Sequence, residues 1–309
     1  MVQSPRALML LGPTACGKTA LSLMMAQELP CEIISVDSAL IYRGMDIGTA
    51  KPTAAERGSV VHHLIDILDI EQSYSAASFA DDAKRLIGEI HQVGHYPLLV
   101  GGTMLYAKAL REGMDESPAT DQEVRERITA MGESLGWPQM HEKLAAVDPI
   151  TAARLAPNDK QRIGRALEVF EITGKPLSSM HTGVKTYDPT IAVVALFPKD
   201  RAKLHEMIGR RFDAMVQSGF LDEVRLLMQR PGFDENLPSM RAVGYRQAIA
   251  HLKGETGFET FMESGKAATR QLAKRQITWL RSMPGIEIFD PYEMSLENIK
   301  TRLLEIIGR

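Results

Sequence analysis

Cysteine is scarce: Cys16 and Cys31 are the only two in 309 residues. That excludes a disulfide framework and a four-cysteine zinc site, and it makes a reducing compartment the default. No apolar run approaches the roughly 18 residues of a bilayer span, so an integral membrane protein is not expected. The opening Met1-Val2-Gln3-Ser4-Pro5-Arg6 leads straight into a short apolar strand and lacks the form of a signal peptide. Internal repeats and low-complexity segments are also missing. Acidic residues are absent between Glu263 and Glu287, where Lys266, Arg270, Lys274, Arg275 and Arg281 all lie. Such a stretch reads either as a polyanion-binding face or as an ordinary solvated helix face.

What is present is ordinary globular composition, 44% hydrophobic and 24% charged. This supports a sizeable core and excludes disorder as the main state. The length suits one large domain or two. The net charge of −3 is uneven: residues 1–110 and 111–190 each carry −3, and residues 191–309 carry +3.

The chain reads as an α/β protein. Ala7-Leu8-Met9-Leu10-Leu11 is a buried-type strand ending at a glycine loop, and a helical pattern follows through Leu21, Met25 and Leu29. Glu32 to Val36 reads as a second strand, placed beside the first, Leu64 to Leu68 as a further one, Phe79 to His91 as helix, and Leu98 to Val100 as strand. Alternation of strand, loop and helix argues for a parallel sheet with covering helices. From about Glu112 to Met180 the chain reads as helices broken at Gly136-Trp137-Pro138 and Asp148-Pro149. Residues 113–189 are therefore expected to form an all-helical insertion in a core made of 1–112 and 190–309. Ile191 to Phe197 returns the chain to the sheet.

Gly12-Pro13-Thr14-Ala15-Cys16-Gly17-Lys18-Thr19 fits G-x-x-x-x-G-K-[ST] between a strand and a helix. Glycines let backbone N–H groups converge on phosphate oxygens, and the helix start directs its positive end there. Lys18 adds a cation, and the Thr19 hydroxyl suits a magnesium ion. The loop implies a bound di- or triphosphate, not ATP hydrolysis. Cys16 reads as a space-filler, or as a thiol activated by the helix start and Lys18. Asp37 ends the second strand, at the sheet edge where ligands bind. A magnesium ligand, a cap for the following loop and a general base all fit it. Gly101-Gly102-Thr103 reads as a close approach to a ligand or as a tight turn. Arg210-Arg211-Phe212 offers an arginine for a pyrophosphate, or a surface pair. His62-His63 reads as structural. Trp279 reads as core packing or as a stacking platform for a base.

These residues carry a resemblance to the tRNA dimethylallyltransferases. The phosphate loop resembles theirs, and the run Ile34-Ser35-Val36-Asp37-Ser38-Ala39-Leu40-Ile41-Tyr42-Arg43-Gly44-Met45-Asp46-Ile47-Gly48-Thr49-Ala50-Lys51-Pro52 is more diagnostic still. Leu98 to Tyr106, Asn158 to Glu168, Arg241 to Arg246 and Arg270 to Arg281 also match. Cys16 stands where the family frequently has Ser or Ala.

The resemblance implies a P-loop-kinase-like core with a helical insertion. It implies transfer of a dimethylallyl group from dimethylallyl diphosphate to N6 of the adenine 3′ to the anticodon, in tRNAs reading codons that begin with U. Mg2+ is the implied cofactor, with Thr19 as its ligand. Lys18 and Arg211 would bind the diphosphate, Asp37 would take the N6 proton, and Thr103 would orient the adenine. The implied tRNA contacts are Asp37, Ser38, Ala39, Leu40, Thr103, Arg125, Gln161-Arg162-Ile163-Gly164-Arg165, Arg241-Ala242-Val243-Gly244-Tyr245-Arg246 and Lys274-Arg275-Gln276-Ile277-Thr278-Trp279-Leu280-Arg281. A cytoplasmic monomer without a membrane partner is expected. A small-metabolite kinase would leave the run after Asp37 unexplained. A prenyltransferase using free AMP would not need the basic blocks, and a plain RNA-binding protein would leave the phosphate loop idle.

Overall fold

The computed structural model describes residues 4–58, 60–113, 118, 120–180 and 187–308. Of the opening segment read above, residues 1–3 lie outside them. The chain divides into two compact units, residues 1–111 with 187–309, and residues 112–186.

In chain order the first unit contains β1 (Ala7–Leu11), α1 (Lys18–Glu28), β2 (Cys31–Val36), α2 (Ala54–Arg57), β3 (His62–His63), α3 (Ala76–Gln92), β4 (Tyr96–Gly101) and α4 (Met104–Glu112). The second unit contains α5 (Gln122–Leu135), α6 (Trp137–Val147), α7 (Pro149–Ala152), α8 (Lys160–Thr173) and α9 (Leu177–Met180). The first unit resumes with β5 (Ile191–Leu196), α10 (Arg201–Gln217), α11 (Phe220–Met228), α12 (Tyr245–Leu252), α13 (Phe258–Ser282), β6 (Glu287–Phe289) and α14 (Leu296–Ile306).

The six strands form one parallel sheet in the order β3-β2-β4-β1-β5-β6. All five residues of β1 and all six of β2 are buried. Helices cover both faces, which is why these strands read as continuous apolar runs rather than alternating ones. Met9, Leu11, Ile34, Val36 and Leu99 face α3 and α4, while Leu8, Leu10, Ile33 and Leu98 face α1 and α14. On α3 the buried Phe79, Ala83, Leu86, Ile87 and Ile90 fall at helical spacing. Ser75 caps that helix by accepting from the Ser78 N–H.

Two expectations are corrected. β2 does not lie beside β1, because β4 runs between them. Leu64 to Leu68 is not a strand: only His62–His63 pairs with β2, and Leu64 and Asp66 have φ of 59° and 55°. Left-handed backbone cannot continue a ladder, and Asp66 turns to meet Lys51 instead. One strand was not read in the sequence: β6, a three-residue edge strand beside β5. The histidines themselves are held structurally: His63 Nε2 lies 2.6 Å from Glu32 Oε2, and His62 Nδ1 lies 2.9 Å from the Val60 carbonyl.

The C-terminal helices build a separate core around Phe212, Phe220, Tyr245 and Phe261, joined by Ile41, Tyr42 and Met45 from the loop after β2. In the second unit Trp137, Ile128, Met140, Leu144 and Ile163 form the core. Gly132 passes so close to the Trp137 ring that a Cβ would lie 2.4 Å from it. Asp148 caps α7; burial alone would raise its pKa, but N–H groups of Thr151 and Ser178 hold it down to about 2.

Candidate active site

Register sets the site. Gly101 at the end of β4 pairs with Leu11 of β1 and Val36 of β2, so three strands finish at one edge. From that edge leave the phosphate loop, the Asp37 loop and the Gly102-Thr103 turn. They wall a cavity of about 180 Å³ with Thr14, Ala15, Lys18, Thr19, Asp37 and Arg211 on its surface. Leucine, valine and glycine at the strand ends cannot do chemistry, so the chemistry sits in the loops that follow them.

Asp37 is both a cap and an open carboxylate. Its Oδ1 accepts the Ala39 N–H at 2.8 Å, an Asx-type turn. Among the described residues its Oδ2 has no hydrogen-bond partner. Thr103 holds the residue that follows Asp37. Its hydroxyl accepts the Ser38 N–H at 3.0 Å and donates to Ser38 Oγ at 3.3 Å, and it does not line the cavity. A contact from Thr103 to an acceptor base would replace the longer of these two bonds. Ser38 is exposed, and Ala39 and Leu40 are half-buried in the cavity wall.

The phosphate loop divides into residues that face the cavity and residues that shape it. Thr14, Ala15, Lys18 and Thr19 face it. Gly12, Pro13 and Cys16 are buried behind them and shape the loop. A Cβ on Gly12 would lie 2.7 Å from Cys16 Sγ and 2.9 Å from the Leu196 carbonyl oxygen. Cys16 is therefore filler, and burial pushes its thiol up despite the charge of Lys18. Burial thus works against the activated-thiol alternative. Gly17, at φ 95°, lets the chain turn into α1. Lys18 Nζ donates to the Pro13 carbonyl at 2.7 Å. Arg210 is the surface pair, bonded to Glu206, whereas Arg211 turns inward and donates to the Thr49 carbonyl at 3.4 Å. Burial lowers the Arg211 pKa, opposed by the carboxylate of Asp37.

Two oxygen donors suit a magnesium ion. The exposed Thr19 and the buried Ser35 line the same cavity, and Ser35 Oγ is buried with no hydrogen-bond partner. Hard oxygen groups beside a phosphate site fit that ion's preference.

The roof of the cavity is the loop after Asp37, and residues outside the expected set hold it. Glu223 accepts the backbone N–H groups of Asp46, Ile47 and Gly48 at 2.8, 2.6 and 3.1 Å, and the Tyr245 hydroxyl at 2.6 Å. Burial and then Glu223 push the Tyr245 phenol up, which keeps it a donor. Lys51 donates to the Tyr42 carbonyl, Asp46 and Asp66.

The basic blocks are each split by burial. On α13, Lys274, Arg275, Thr278, Trp279 and Arg281 are exposed, but Gln276, Ile277 and Leu280 are buried and cannot meet RNA directly. Lys266 is paired with Asp213. No ion pair engages Arg270, Lys274, Arg275 or Arg281 among the described residues. Lys108 sits 5.9 Å from the centre of the Trp279 ring, so Trp279 is a surface platform rather than core. Arg241 and Arg246 are exposed beside a second cavity of about 410 Å³. Ala242, Val243 and Tyr245 line the first cavity instead, and Gly244 and Tyr245 are buried. In the second unit Gln161 and Arg162 are exposed, Arg162 pairing with Asp159, while Ile163 is core and Gly164 packs near Trp137. Arg125 and Arg165 share the buried carboxylate of Glu168, at 3.3 and 2.9 Å. Their charge is compensated within the unit, so bracing Glu168 is their visible role.

A family model described as IPP transferase matches residues 40–283. The chain belongs to the IPP transferase family. It is 53% identical over 295 residues to a tRNA dimethylallyltransferase of Thiobacillus denitrificans, covering 95% of this chain and 94% of that one. A relative of the same description from Burkholderia lata is 57% identical, covering 89% of this chain and 86% of that one. Among solved structures, the tRNA isopentenylpyrophosphate transferase of Bacillus halodurans is 37% identical with a TM-score of 0.70, covering 97% and 96%. A eukaryotic dimethylallyltransferase acting on tRNA is 26% identical with a TM-score of 0.82, covering 96% of this chain and 77% of that one. No helix among the described residues is long and apolar enough to cross a membrane.

Proposed function

We infer that the cavity at the end of β1, β4 and β2 is where a dimethylallyl group passes from its diphosphate to an adenine of tRNA. The chain is a tRNA dimethylallyltransferase, a prenyl-transferring enzyme. The observation that carries the site assignment is convergence: Thr14, Lys18, Thr19, Asp37 and Arg211 line one cavity. Thr14 and Lys18 with Arg211 would bind the donor diphosphate, and Thr19 with Ser35 would hold Mg2+. The ion, when bound, neutralises charge on the departing diphosphate. The bond from the allylic carbon to the diphosphate oxygen breaks as that carbon bonds to N6, and Asp37 Oδ2 takes the N6 proton. Adenine N6 is a poor nucleophile because its lone pair is delocalised, so a placed carboxylate contributes materially.

The acceptor in this reading is the adenine 3′ to the anticodon, in tRNAs reading codons that begin with U. The product is N6-dimethylallyladenosine, with diphosphate released. The base leaves its stack to enter, at a cost of a few kcal/mol that a single-stranded loop reduces. Exposed Arg241, Arg246, Lys274, Arg275 and Trp279 would grip the anticodon stem-loop. The enzyme acts as a cytoplasmic monomer in this reading; its free, buried thiols Cys16 and Cys31 suit a reducing compartment.

Incubation with magnesium, dimethylallyl diphosphate and unmodified tRNA, followed by nucleoside mass analysis, tests this. A dimethylallyl-adenosine peak requiring all three is expected. Prenylated AMP in place of modified tRNA would overturn the acceptor. A second prediction follows from the uncompensated cations of α13. Reversing Lys274 and Arg275 to Glu should weaken tRNA binding and flatten its log–log salt slope by about one unit per lost phosphate contact. An unchanged slope in filter-binding titrations would move the RNA face elsewhere.

A further inference from the structure

α13 presents different chemistry on its two sides. Lys274, Arg275, Thr278 and Trp279 are exposed, and Ala273, Ile277 and Leu280 are buried. One residue breaks the buried stripe: Gln276, 8% exposed. A buried amide must satisfy a donor and an acceptor, and Gln276 does so across two loops. Its Oε1 accepts the Thr14 N–H at 2.9 Å, and its Nε2 donates to the Gly102 carbonyl at 2.9 Å. The partners fix the orientation of the amide, because an N–H can only donate and a carbonyl can only accept. The fit is close: a Cβ on Gly102 would lie 2.4 Å from Nε2.

These bonds reach both halves of the reaction. Thr14 lies in the phosphate loop. Gly102 precedes Thr103, whose hydroxyl holds Ser38 beside Asp37. We propose that Gln276 is a positioning residue linking the RNA-facing helix to the donor loop, so that tRNA and diphosphate each tighten binding of the other. The inference rests on the tRNA-prenylation reading. Its physical basis is that a helix held by polyanion on its outer face carries an amide on its inner face. That amide stands in register with two loops otherwise far apart in sequence. Linkage makes the effect reciprocal: whatever factor RNA gives diphosphate, diphosphate gives RNA.

The test titrates magnesium and inorganic diphosphate into the full chain, with and without a saturating anticodon stem-loop RNA. In the wild type, RNA should tighten diphosphate binding by about 5-fold or more. Gln276→Met keeps the volume and removes both bonds. It should reduce that factor to near one and raise the donor KM, with RNA affinity measured alone little changed. Equal coupling in wild type and Gln276→Met overturns the proposal. So does a loss of RNA affinity in Gln276→Met as large as in Lys274→Glu/Arg275→Glu, which would make Gln276 a direct contact. If Gln276→Met does not fold, the wild type still decides, because absence of any linkage there sinks the idea. Failure of the underlying reading looks different: RNA binding would then be indifferent to charge reversal on α13.

Discussion

Asp37→Ala should lower single-turnover prenyl transfer by about 10²–10⁴-fold while leaving tRNA affinity nearly intact. The carboxylate has two separable jobs in the structure. Oδ1 shapes the loop through the Ala39 N–H, at 2.8 Å. Oδ2 has no hydrogen-bond partner among the described residues, on a side chain that lines the cavity. Asp37→Asn distinguishes the jobs, since a carboxamide oxygen can still accept from Ala39 but cannot take a proton. If Asn loses as much turnover as Ala, the carboxylate is the base. If Asn retains near-normal turnover and only Ala fails, Asp37 is a loop cap and the proton acceptor lies elsewhere. Binding of the stem-loop RNA serves as the control, because the exposed cations of α13 are untouched by either change.

The parts of this site legible in the sequence were those governed by local rules. A glycine loop between a buried strand and a helix has few alternatives, and strand ends in a parallel sheet predict where Asp37 and Gly101 gather. What escaped the sequence was set by partners far along the chain. Glu223 looks like an ordinary acid in the first turn of α11, yet it organises the loop 46–48 from some 176 residues away. The family resemblance implied the block from Lys274 to Arg281 as one RNA contact, within a stretch whose charge also fitted an ordinary solvated face. Helical geometry divides it, with Gln276, Ile277 and Leu280 turned inward. A signal for this was present: Ala273, Gln276, Ile277 and Leu280 follow the i, i+3, i+4, i+7 spacing of a buried stripe. A lone amide on such a stripe has to find partners. For Arg125 and Arg165 the unread partner is a buried acid, Glu168, which the sequence gives no reason to pair with them. Leu64 to Leu68 misreads as strand because its composition is apolar, whereas Lys51 draws Asp66 into a turn.

Gly101→Ala should destabilise the protein and disable the site together, and this separates two uses of the glycine pair. The sequence leaves open room for a ligand or a tight turn. The structure puts protein there: a Cβ on Gly101 would lie 2.1 Å from the Val36 carbonyl oxygen, 2.4 Å from its carbon and 2.8 Å from its Cα. All three are backbone atoms of β2, a strand paired on both sides by β3 and β4, so no side chain can rotate away. The Val36 carbonyl also accepts the N–H groups of Gly102 and Thr103, at 3.1 and 3.0 Å. Displacing it loosens Thr103, then Ser38, then the loop that begins at Asp37. Overpacking and the strained hydrogen bonds together should cost about 2–4 kcal/mol, measured as a lower urea midpoint with an unchanged slope. Turnover of the folded fraction should fall by about tenfold or more, since misplacement of a reacting group by an ångström carries a penalty of that order or greater. A variant that kept wild-type stability and showed only a raised donor KM would restore the ligand-clearance reading. Loss of both together would make Gly101 the point where two strands close tightly enough to hold Asp37 and Thr103 in one frame.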